Sequence, residues 1–124
     1  MNIRVLLADD HALLRSAVRA LLNSEPGIEV VGEAETGQAA LRLAAELSPD
    51  VLVVDLNMPD GDGFEVARTL SRGAGSVAVV VMSARVDAGV RARLRESSSQ
   101  VISKHAALVD LVPAIRAAVS SRAR

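Results

Sequence analysis

Short runs of Val, Ile, Leu and Ala alternate along the chain with longer segments in which apolar residues recur every three or four positions. The runs at residues 3–8, 28–34, 51–54, 77–82 and 101–103 are mostly continuous, which is typical of parallel strands buried on both faces. The second run is interrupted by Glu29 and Glu33, so we expect it at an edge of the sheet. The pattern therefore predicts five parallel strands.

The segments between the strands have the periodicity of amphipathic helices. The second helix is predicted to begin near Thr36, a residue type suited to the N-cap, and the third at Phe64. The fourth is weakened by Gly89 and by three serines at 97–99. The predicted buried positions of the first helix are Leu13, Leu14, Ala17, Val18, Leu21 and Leu22; those of the second are Ala40, Leu41, Ala44, Ala45 and Leu47; those of the last two are Val86, Val90 and Leu94, then Leu108, Leu111, Ile115 and Ala118.

Five alternating strand–helix units in one small chain predict an α/β fold in which helices cover both faces of a parallel sheet. The expected architecture is a flavodoxin-like (βα)5 doubly wound sheet with strand order 2-1-3-4-5, formed by residues 1–124 as a single domain. Ligands of such folds bind beyond the carboxyl ends of the strands, so the residues that follow each strand are the candidates for chemistry.

Polar side chains stand at four of these strand ends: Asp9 and Asp10, Asp55, Ser83 and Lys104. Carboxylates about 4 Å apart repel by roughly 4 kcal/mol per pair at an effective dielectric near 20, so three of them must take up protons or hold a cation. Hard oxygen ligands favour Mg²⁺. The cation leaves a carboxylate oxygen free to attack a phosphorus atom, while the hydroxyl and the ammonium hold the other oxygens of the transferred group.

Other chemistries are excluded by the same residues. The chain has no cysteine, hence no disulfide or thiolate metal site. Its two histidines, His11 and His105, are too few for a zinc site and are interpreted as exposed residues at helix starts. A calcium loop beginning at Asp55 would place Pro59 at its fifth position, and a phosphatase of the haloacid-dehalogenase type would need an acid at Asn57.

Charge is distributed unevenly although the net charge is only −1. Residues 1–62 contain eleven acids and four arginines, and residues 63–124 contain four acids, nine arginines and one lysine. Either chance or an acidic site paired with a basic face explains this asymmetry.

No apolar run approaches a membrane span, and the N-terminus lacks the layout of a signal peptide. A cytoplasmic protein without a membrane partner is expected.

Taken together, these motifs resemble those of response-regulator receiver domains over essentially the whole chain. The resemblance is carried by Ala8-Asp9-Asp10-His11, by Val53-Val54-Asp55-Leu56-Asn57-Met58-Pro59-Asp60-Gly61-Asp62-Gly63-Phe64-Glu65, by Val81-Met82-Ser83-Ala84 and by Ser103-Lys104. The Asp-Asp-His and Val-Gly-Glu-Ala motifs are typical of the NarL-like branch, whose members usually have a LuxR-type helix-turn-helix domain after the receiver.

The resemblance implies a role for each site residue. Asp55 resembles the phosphoacceptor, Ser83 the switch hydroxyl that follows the phosphoryl group, and Lys104 the lysine that contacts a phosphoryl oxygen. The implied ligands of Mg²⁺ are Asp10, Asp55 and the backbone carbonyl of Asn57, with Asp9 acting through water or hydrogen bonds.

The implied function is two-component signal transduction. A sensor histidine kinase would donate a phosphoryl group to Asp55 in a Mg²⁺-dependent reaction, and the added charge would change dimerisation and transcriptional output. The receiver would catalyse its own phosphorylation and dephosphorylation without being an enzyme in the usual sense. A homodimer is expected, and DNA contact is expected only through a C-terminal domain that these residues do not include. The last helix has Ala114, Ala117 and Ala118 for close packing, and Arg85, Arg91, Arg93 and Arg95 give the fourth helix a basic flank.

The chain departs from the family before the lysine. Where the family usually has Gly-Ala-x-Gly followed by Tyr or Phe, residues 97–101 read Ser-Ser-Ser-Gln-Val, so Val101 replaces the switch aromatic. His105 stands where the family usually has Asp or Pro. We expect the loop after the fourth strand, the fourth helix and the start of the fifth strand to be altered in conformation or mobile.

These departures leave two alternatives open. A degenerate receiver could serve as a dimerisation or interaction module that is insensitive to phosphorylation. The second alternative to a phosphoacceptor switch is a metal-dependent phosphatase, and the lack of a second acid after Asp55 argues against it.

Overall fold

A computed structural model of the chain describes residues 2–58, 63–72, 77–95 and 100–122. Over these ranges strands and helices alternate in the order β1 (Ile3–Ala8), α1 (Ala12–Ser24), β2 (Ile28–Ala34), α2 (Gly37–Leu47), β3 (Val51–Asp55), α3 (Gly63–Arg72), β4 (Ala78–Ser83), α4 (Ala88–Leu94), β5 (Gln100–Ser103) and α5 (Ala107–Arg122). A single 3-10 turn at Lys104–Ala106 joins β5 to α5.

The strands pair in parallel in the order β2-β1-β3-β4-β5, so the predicted flavodoxin-like sheet is confirmed, with β2 at an edge. The first two strands have the predicted bounds, and the ends of the others differ from the prediction by one residue at most. Thr36 caps α2 as predicted, since its side chain accepts a hydrogen bond from the Ala39 amide at 3.1 Å. Helix α3 begins at Gly63, one residue before the predicted start.

Successive residues of each strand contribute to opposite layers of the core. Val5 and Leu7 of β1 pack with α1 and α5 on one face, whereas Leu6 and Ala8 pack with α2, α3 and α4 on the other. This alternation follows from the period of two in a strand. Strands β3 and β4 are buried along their whole length, which explains their continuous apolar runs.

Several predicted core positions were wrong. Leu13 is 86% exposed, since the stripe of α1 that faces the core is Leu14, Val18 and Leu22, and a shift of one residue turns a side chain by about 100°. Ala17 and Ala45 are also exposed. Leu108 is 52% exposed for the same reason, because α5 packs through a stripe beginning at Ala107.

Helix α5 gives less support to a dimer than its sequence indicated. Ala114 and Ala118 are buried against the sheet, so their small size serves the core, and of the three alanines only Ala117 is exposed. The arginines Arg85, Arg91, Arg93 and Arg95 are all exposed, as predicted for a basic flank.

Two stretches named in the sequence prediction lie outside the described residues, namely 59–62 of the loop after β3 and 97–99 before β5. The altered conformation expected around α4 stays a prediction. Among the helices that the structure describes, none combines the length and apolar content needed to cross a bilayer.

Candidate functional site

The predicted site residues lie at one edge of the sheet. Asp9 and Asp10 follow β1, Asp55 ends β3, Ser83 ends β4 and Lys104 follows β5. Because all five strands are parallel, their carboxyl ends open on the same side, and the order of the strands places β1, β3, β4 and β5 side by side.

Asp55 lies at the base of this site with no exposed surface. Its Oδ1 accepts a hydrogen bond from the Asn57 amide at 2.9 Å, and its Oδ2 accepts one from Lys104 Nζ at 2.6 Å. The Lys104 side chain is 12% exposed, so this ion pair is largely removed from water. A buried carboxylate needs such a partner, because an unpaired charge in a protein interior is strongly disfavoured.

Asp9 is also buried, being 1% exposed. Its Oδ1 accepts a hydrogen bond from the His11 amide at 2.8 Å, and Arg15 donates to its backbone carbonyl at 2.6 Å. Burial raises the pKa of the Asp9 carboxyl above its ordinary value, and the negative charge of Asp55 acts in the same direction. The hydrogen bond from the His11 amide and the charge of Lys104 oppose this rise without cancelling it.

Two oxygens of the site accept no hydrogen bond although they are buried, namely Asp9 Oδ2 and Asp10 Oδ1. Oxygens of Asp9, Asp10 and Asp55 and a ring nitrogen of His11 all lie within 4.8 Å of one another. Unsatisfied buried carboxylate oxygens are costly, and a cation relieves both their desolvation and their mutual repulsion. These residues fit a divalent cation, and Mg²⁺ matches the three carboxylates.

Ser83 occupies the predicted strand end, and its hydroxyl bonds to the loop that follows. Ser83 Oγ donates to the Arg85 carbonyl at 2.6 Å and accepts a hydrogen bond from the Arg85 amide at 3.2 Å. The residue is 4% exposed. The hydroxyl must rotate away from the Arg85 carbonyl before it can donate to a group bound at Asp55.

An open groove of about 600 Å³ lies beside the site, between the loop after β3 and helix α4. Asn57 and Ser83 line it on the side of the site, and Phe64, Arg85 and Arg93 line it elsewhere. The Arg93 guanidinium lies 3.5 Å from the centroid of the Phe64 ring, a cation–π contact. The groove thus carries two arginines and one acid, Asp87, which pairs with Arg85 at 3.4 Å.

His11 is the residue that the sequence interpretation missed. It precedes α1 and its side chain is 57% exposed, as expected for a helix start. Its Nδ1, however, lies 2.7 Å from Lys104 Nζ and 3.6 Å from Asp55 Oδ2. Its position directly after the two acids that follow β1 could have indicated this placement, because the chain turns back there to begin α1.

The family model described as "Response regulator receiver domain" matches residues 5–116 of the chain. The transcriptional regulatory protein LiaR of Bacillus subtilis (strain 168) is 44% identical over 68% of this chain. The response regulator GacA of Pseudomonas aeruginosa is 37% identical over 92% of it. A protein-glutamate methylesterase/protein-glutamine glutaminase of Myxococcus xanthus is 40% identical over 98%. The matched regions cover 40%, 54% and 38% of these three relatives, so the chain spans about half of their length or less.

Solved structures match over almost the whole fold. The signal receiver domain of the putative response regulator NarL from Mycobacterium tuberculosis superposes with a TM-score of 0.88 at 31% identity, covering 98% of both chains. The non-phosphorylated receiver domain of RcsB from Escherichia coli superposes with a TM-score of 0.88 at 27% identity, covering 98% of this chain and 95% of that one.

Proposed function

Because this chain belongs to the response regulator receiver domain family, we propose that Asp55 accepts a phosphoryl group from the phosphohistidine of a sensor histidine kinase. The observation that carries the proposal is the environment of Asp55. It is a fully buried carboxylate bound to an ammonium at 2.6 Å and adjoins two further carboxylates, each with an oxygen that accepts no hydrogen bond.

The transfer is a displacement at phosphorus. A carboxylate oxygen of Asp55 attacks the phosphorus atom, the phosphorus–nitrogen bond of the donor breaks, and its electron pair returns to the imidazole of the kinase. Water later attacks the aspartyl phosphate, which releases inorganic phosphate and restores the carboxylate. Mg²⁺, held by Asp10, Asp55 and the Asn57 carbonyl with Asp9 acting through water, would neutralise phosphoryl charge when bound.

Lys104 and Ser83 would hold the transferred group from the other side. Lys104 keeps an ammonium at the carboxylate that reacts, so it neutralises charge on the phosphoryl oxygens without a large movement. Ser83 reaches a phosphoryl oxygen only after its hydroxyl leaves the Arg85 carbonyl. Phosphorylation would therefore rearrange the loop after β4, which begins the route from the site to α4.

We further propose that the receiver controls transcription. Its relatives include the transcriptional regulatory protein LiaR, and its structural neighbours include RcsB bound to promoter rprA. In this proposal the whole protein is cytoplasmic, dimerises, and contacts DNA through a C-terminal helix-turn-helix domain. Relatives named as methylesterases make an attached enzymatic domain the alternative output.

A second candidate is an interaction module whose partner binding does not depend on phosphorylation. It is favoured by Val101, which stands in the place of the switch aromatic and packs against the core on the α4 side of the sheet. Val101 has no aromatic ring that could change rotamer when Ser83 moves. This candidate predicts phosphorylation without a change in self-association.

The proposal is tested by intact mass after incubation with a small acyl phosphate and Mg²⁺. We expect one phosphoryl adduct on the wild type and on Asp110→Asn, a matched change at an exposed position of α5, and none on Asp55→Asn. An adduct on Asp55→Asn, or a folded wild type that stays unmodified by both the acyl phosphate and a phosphorylated kinase, would overturn it. Sedimentation of the modified chain then separates the two candidates.

A further inference from the structure

His11 Nδ1 lies in the acidic site, within 3.6 Å of one oxygen from each of the three carboxylates. Lys104 Nζ lies 2.7 Å from this nitrogen, and an ammonium can only donate. In the neutral tautomer that accepts from this ammonium, Nδ1 carries no proton. The 3.3 Å separation between Nδ1 and Asp9 Oδ1 is then a contact between two electron-pair donors, which is favourable only when a cation lies close to both.

We infer that His11 supplies a nitrogen ligand to the cation site and makes it selective for first-row transition ions, such as Mn²⁺ and Co²⁺, relative to Mg²⁺. This inference rests on the proposed function, because it concerns the same cation. It adds a ligand that neither the carboxylates nor the Asn57 carbonyl provide, and it changes which ion the site holds most tightly.

The distances fit a shared ion. Nδ1 lies 3.3 Å from Asp9 Oδ1, 3.4 Å from Asp10 Oδ1 and 3.6 Å from Asp55 Oδ2. Neighbouring ligands of an octahedral ion with bonds of about 2.1 Å are roughly 3 Å apart, so small side-chain movements bring these atoms to that spacing. Asp10 Oδ1 is one of the two oxygens that accept no hydrogen bond.

Lys104 is the cation that now contacts His11. A metal ion that binds Nδ1 takes the lone pair that the ammonium uses, so Lys104 would lose its bond to His11 and keep the one to Asp55. Binding of a transition ion to His11 would thus change the hydrogen bonds of Lys104. The donor hydrogen that His11 no longer accepts would be available for a phosphoryl oxygen.

Selectivity follows from donor chemistry. Mg²⁺ is a hard ion that gives up its waters reluctantly and gains little from an imidazole. Affinity for nitrogen donors rises from Mn²⁺ through Co²⁺ to Ni²⁺. The contribution of His11 should therefore be small for Mg²⁺ and should grow along the transition series.

The test compares the tag-free wild-type chain with His11→Gln, which keeps an acceptor for Lys104 but removes the ring nitrogen. The His11 side chain makes no capping hydrogen bond, so this change leaves the start of α1 intact. His105→Gln is the matched control, because that side chain is exposed and only its backbone amide bonds to Ser103. Affinities for Mg²⁺, Mn²⁺ and Co²⁺ are measured by calorimetry, and pulsed paramagnetic resonance on bound Mn²⁺ detects a coordinated nitrogen.

For His11→Gln we expect a loss of about 10-fold or more in Co²⁺ affinity, a smaller loss for Mn²⁺, and a change within about 3-fold for Mg²⁺. Nitrogen coupling to Mn²⁺ should be present in the wild type and in His105→Gln and absent in His11→Gln. Equal losses for all three ions, or no nitrogen coupling in the wild type, would overturn the inference and leave the phosphoacceptor proposal intact. Failure of the wild type to bind any of the three ions would contradict both.

Discussion

Lys104 Nζ and Asp55 Oδ2 are 2.6 Å apart. Lys104 follows β5 and Asp55 ends β3, and β4 separates these two strands in the sheet. The lysine begins the turn after β5, and its long side chain crosses the end of β4 to reach the carboxylate. A pairing 49 residues apart in sequence is thereby built across three strands. It gives a buried acid its counter-charge.

Loss of the ammonium should destabilise the fold more than loss of a surface cation. We expect Lys104→Met to lower the free energy of unfolding by about 2–4 kcal/mol, because the Asp55 charge stays buried without its partner. Adding Asp55→Asn should restore most of this loss. Urea unfolding followed by far-ultraviolet circular dichroism measures it, since the chain has neither Trp nor Tyr.

Arg116→Met is the control for that prediction. Arg116 pairs at 3.4 Å with Glu25, and the two side chains are 47% and 36% exposed, so its loss should cost less than about 1 kcal/mol. Equal effects of the two substitutions would show that the Lys104–Asp55 pair gains nothing from its burial.

Removal of the Asp9 charge should stabilise the metal-free protein. Asp9→Asn keeps the oxygen that accepts from the His11 amide, and we expect a gain on the order of 1 kcal/mol in chelator at neutral pH. The pKa of the Asp9 carboxyl is raised in the folded chain. As the pH rises, this carboxyl therefore loses its proton in the unfolded chain near pH 4 and in the folded chain only at higher pH. The stability gained by Asp9→Asn should be absent below about pH 4, where Asp9 is protonated in both states of the wild type. It should grow as the pH rises through the pKa of Asp9 in the folded chain.

Thermal unfolding of wild type and Asp9→Asn with and without Mg²⁺ checks this prediction. Mg²⁺ should stabilise the wild type more than the variant, because the cation relieves repulsion that the variant no longer has. A variant that is less stable in chelator would show that the Asp9 charge is already compensated by the hydrogen bonds around it.

The Ser83 hydroxyl should increase the rate of phosphoryl transfer to Asp55. We expect Ser83→Ala to form the phosphoryl adduct at least about 10-fold more slowly with a small donor, because one donor to the transferred group is lost. Ser83→Thr keeps the hydroxyl and should keep the rate within a few-fold. Intact mass over time measures both, and equal rates for all three chains would remove Ser83 from the transfer step.

Two glycines should respond in opposite ways to alanine. A Cβ on Gly63 would lie 2.6 Å from Leu56 Cα and 2.8 Å from the Asp55 carbonyl, so backbone next to the site must shift, at a cost of about 1–3 kcal/mol or more. A Cβ on Gly89 meets only Asp87 Oδ1, at 3.4 Å, and Ala is the better residue in a helix by about 1 kcal/mol. Chemical denaturation of both variants tests the contrast, which would fail if Gly63→Ala were neutral.

The sequence determined the sheet and the residues at its carboxyl edge. Buried parallel strands have continuous apolar runs, so the bounds of β1 and β2 followed from the pattern. The strand order followed from the doubly wound arrangement expected for five strand–helix units. The five strand-end side chains could be placed at one edge because parallel strands share a direction. These are local or topological properties, and each is encoded within a few residues of chain.

The tertiary structure decided what depends on distance and rotation. Adjacent residues of a helix point about 100° apart, so a pattern of neighbouring leucines does not show which one faces the core. Leu13 and Leu108 were therefore predicted to be buried although they are exposed. The direction of the Ser83 hydroxyl depends on the loop after β4. The His11 ring nitrogen meets the ammonium of Lys104, 93 residues later, at a separation of 2.7 Å. No local pattern encodes that meeting, since it requires the whole sheet to have formed.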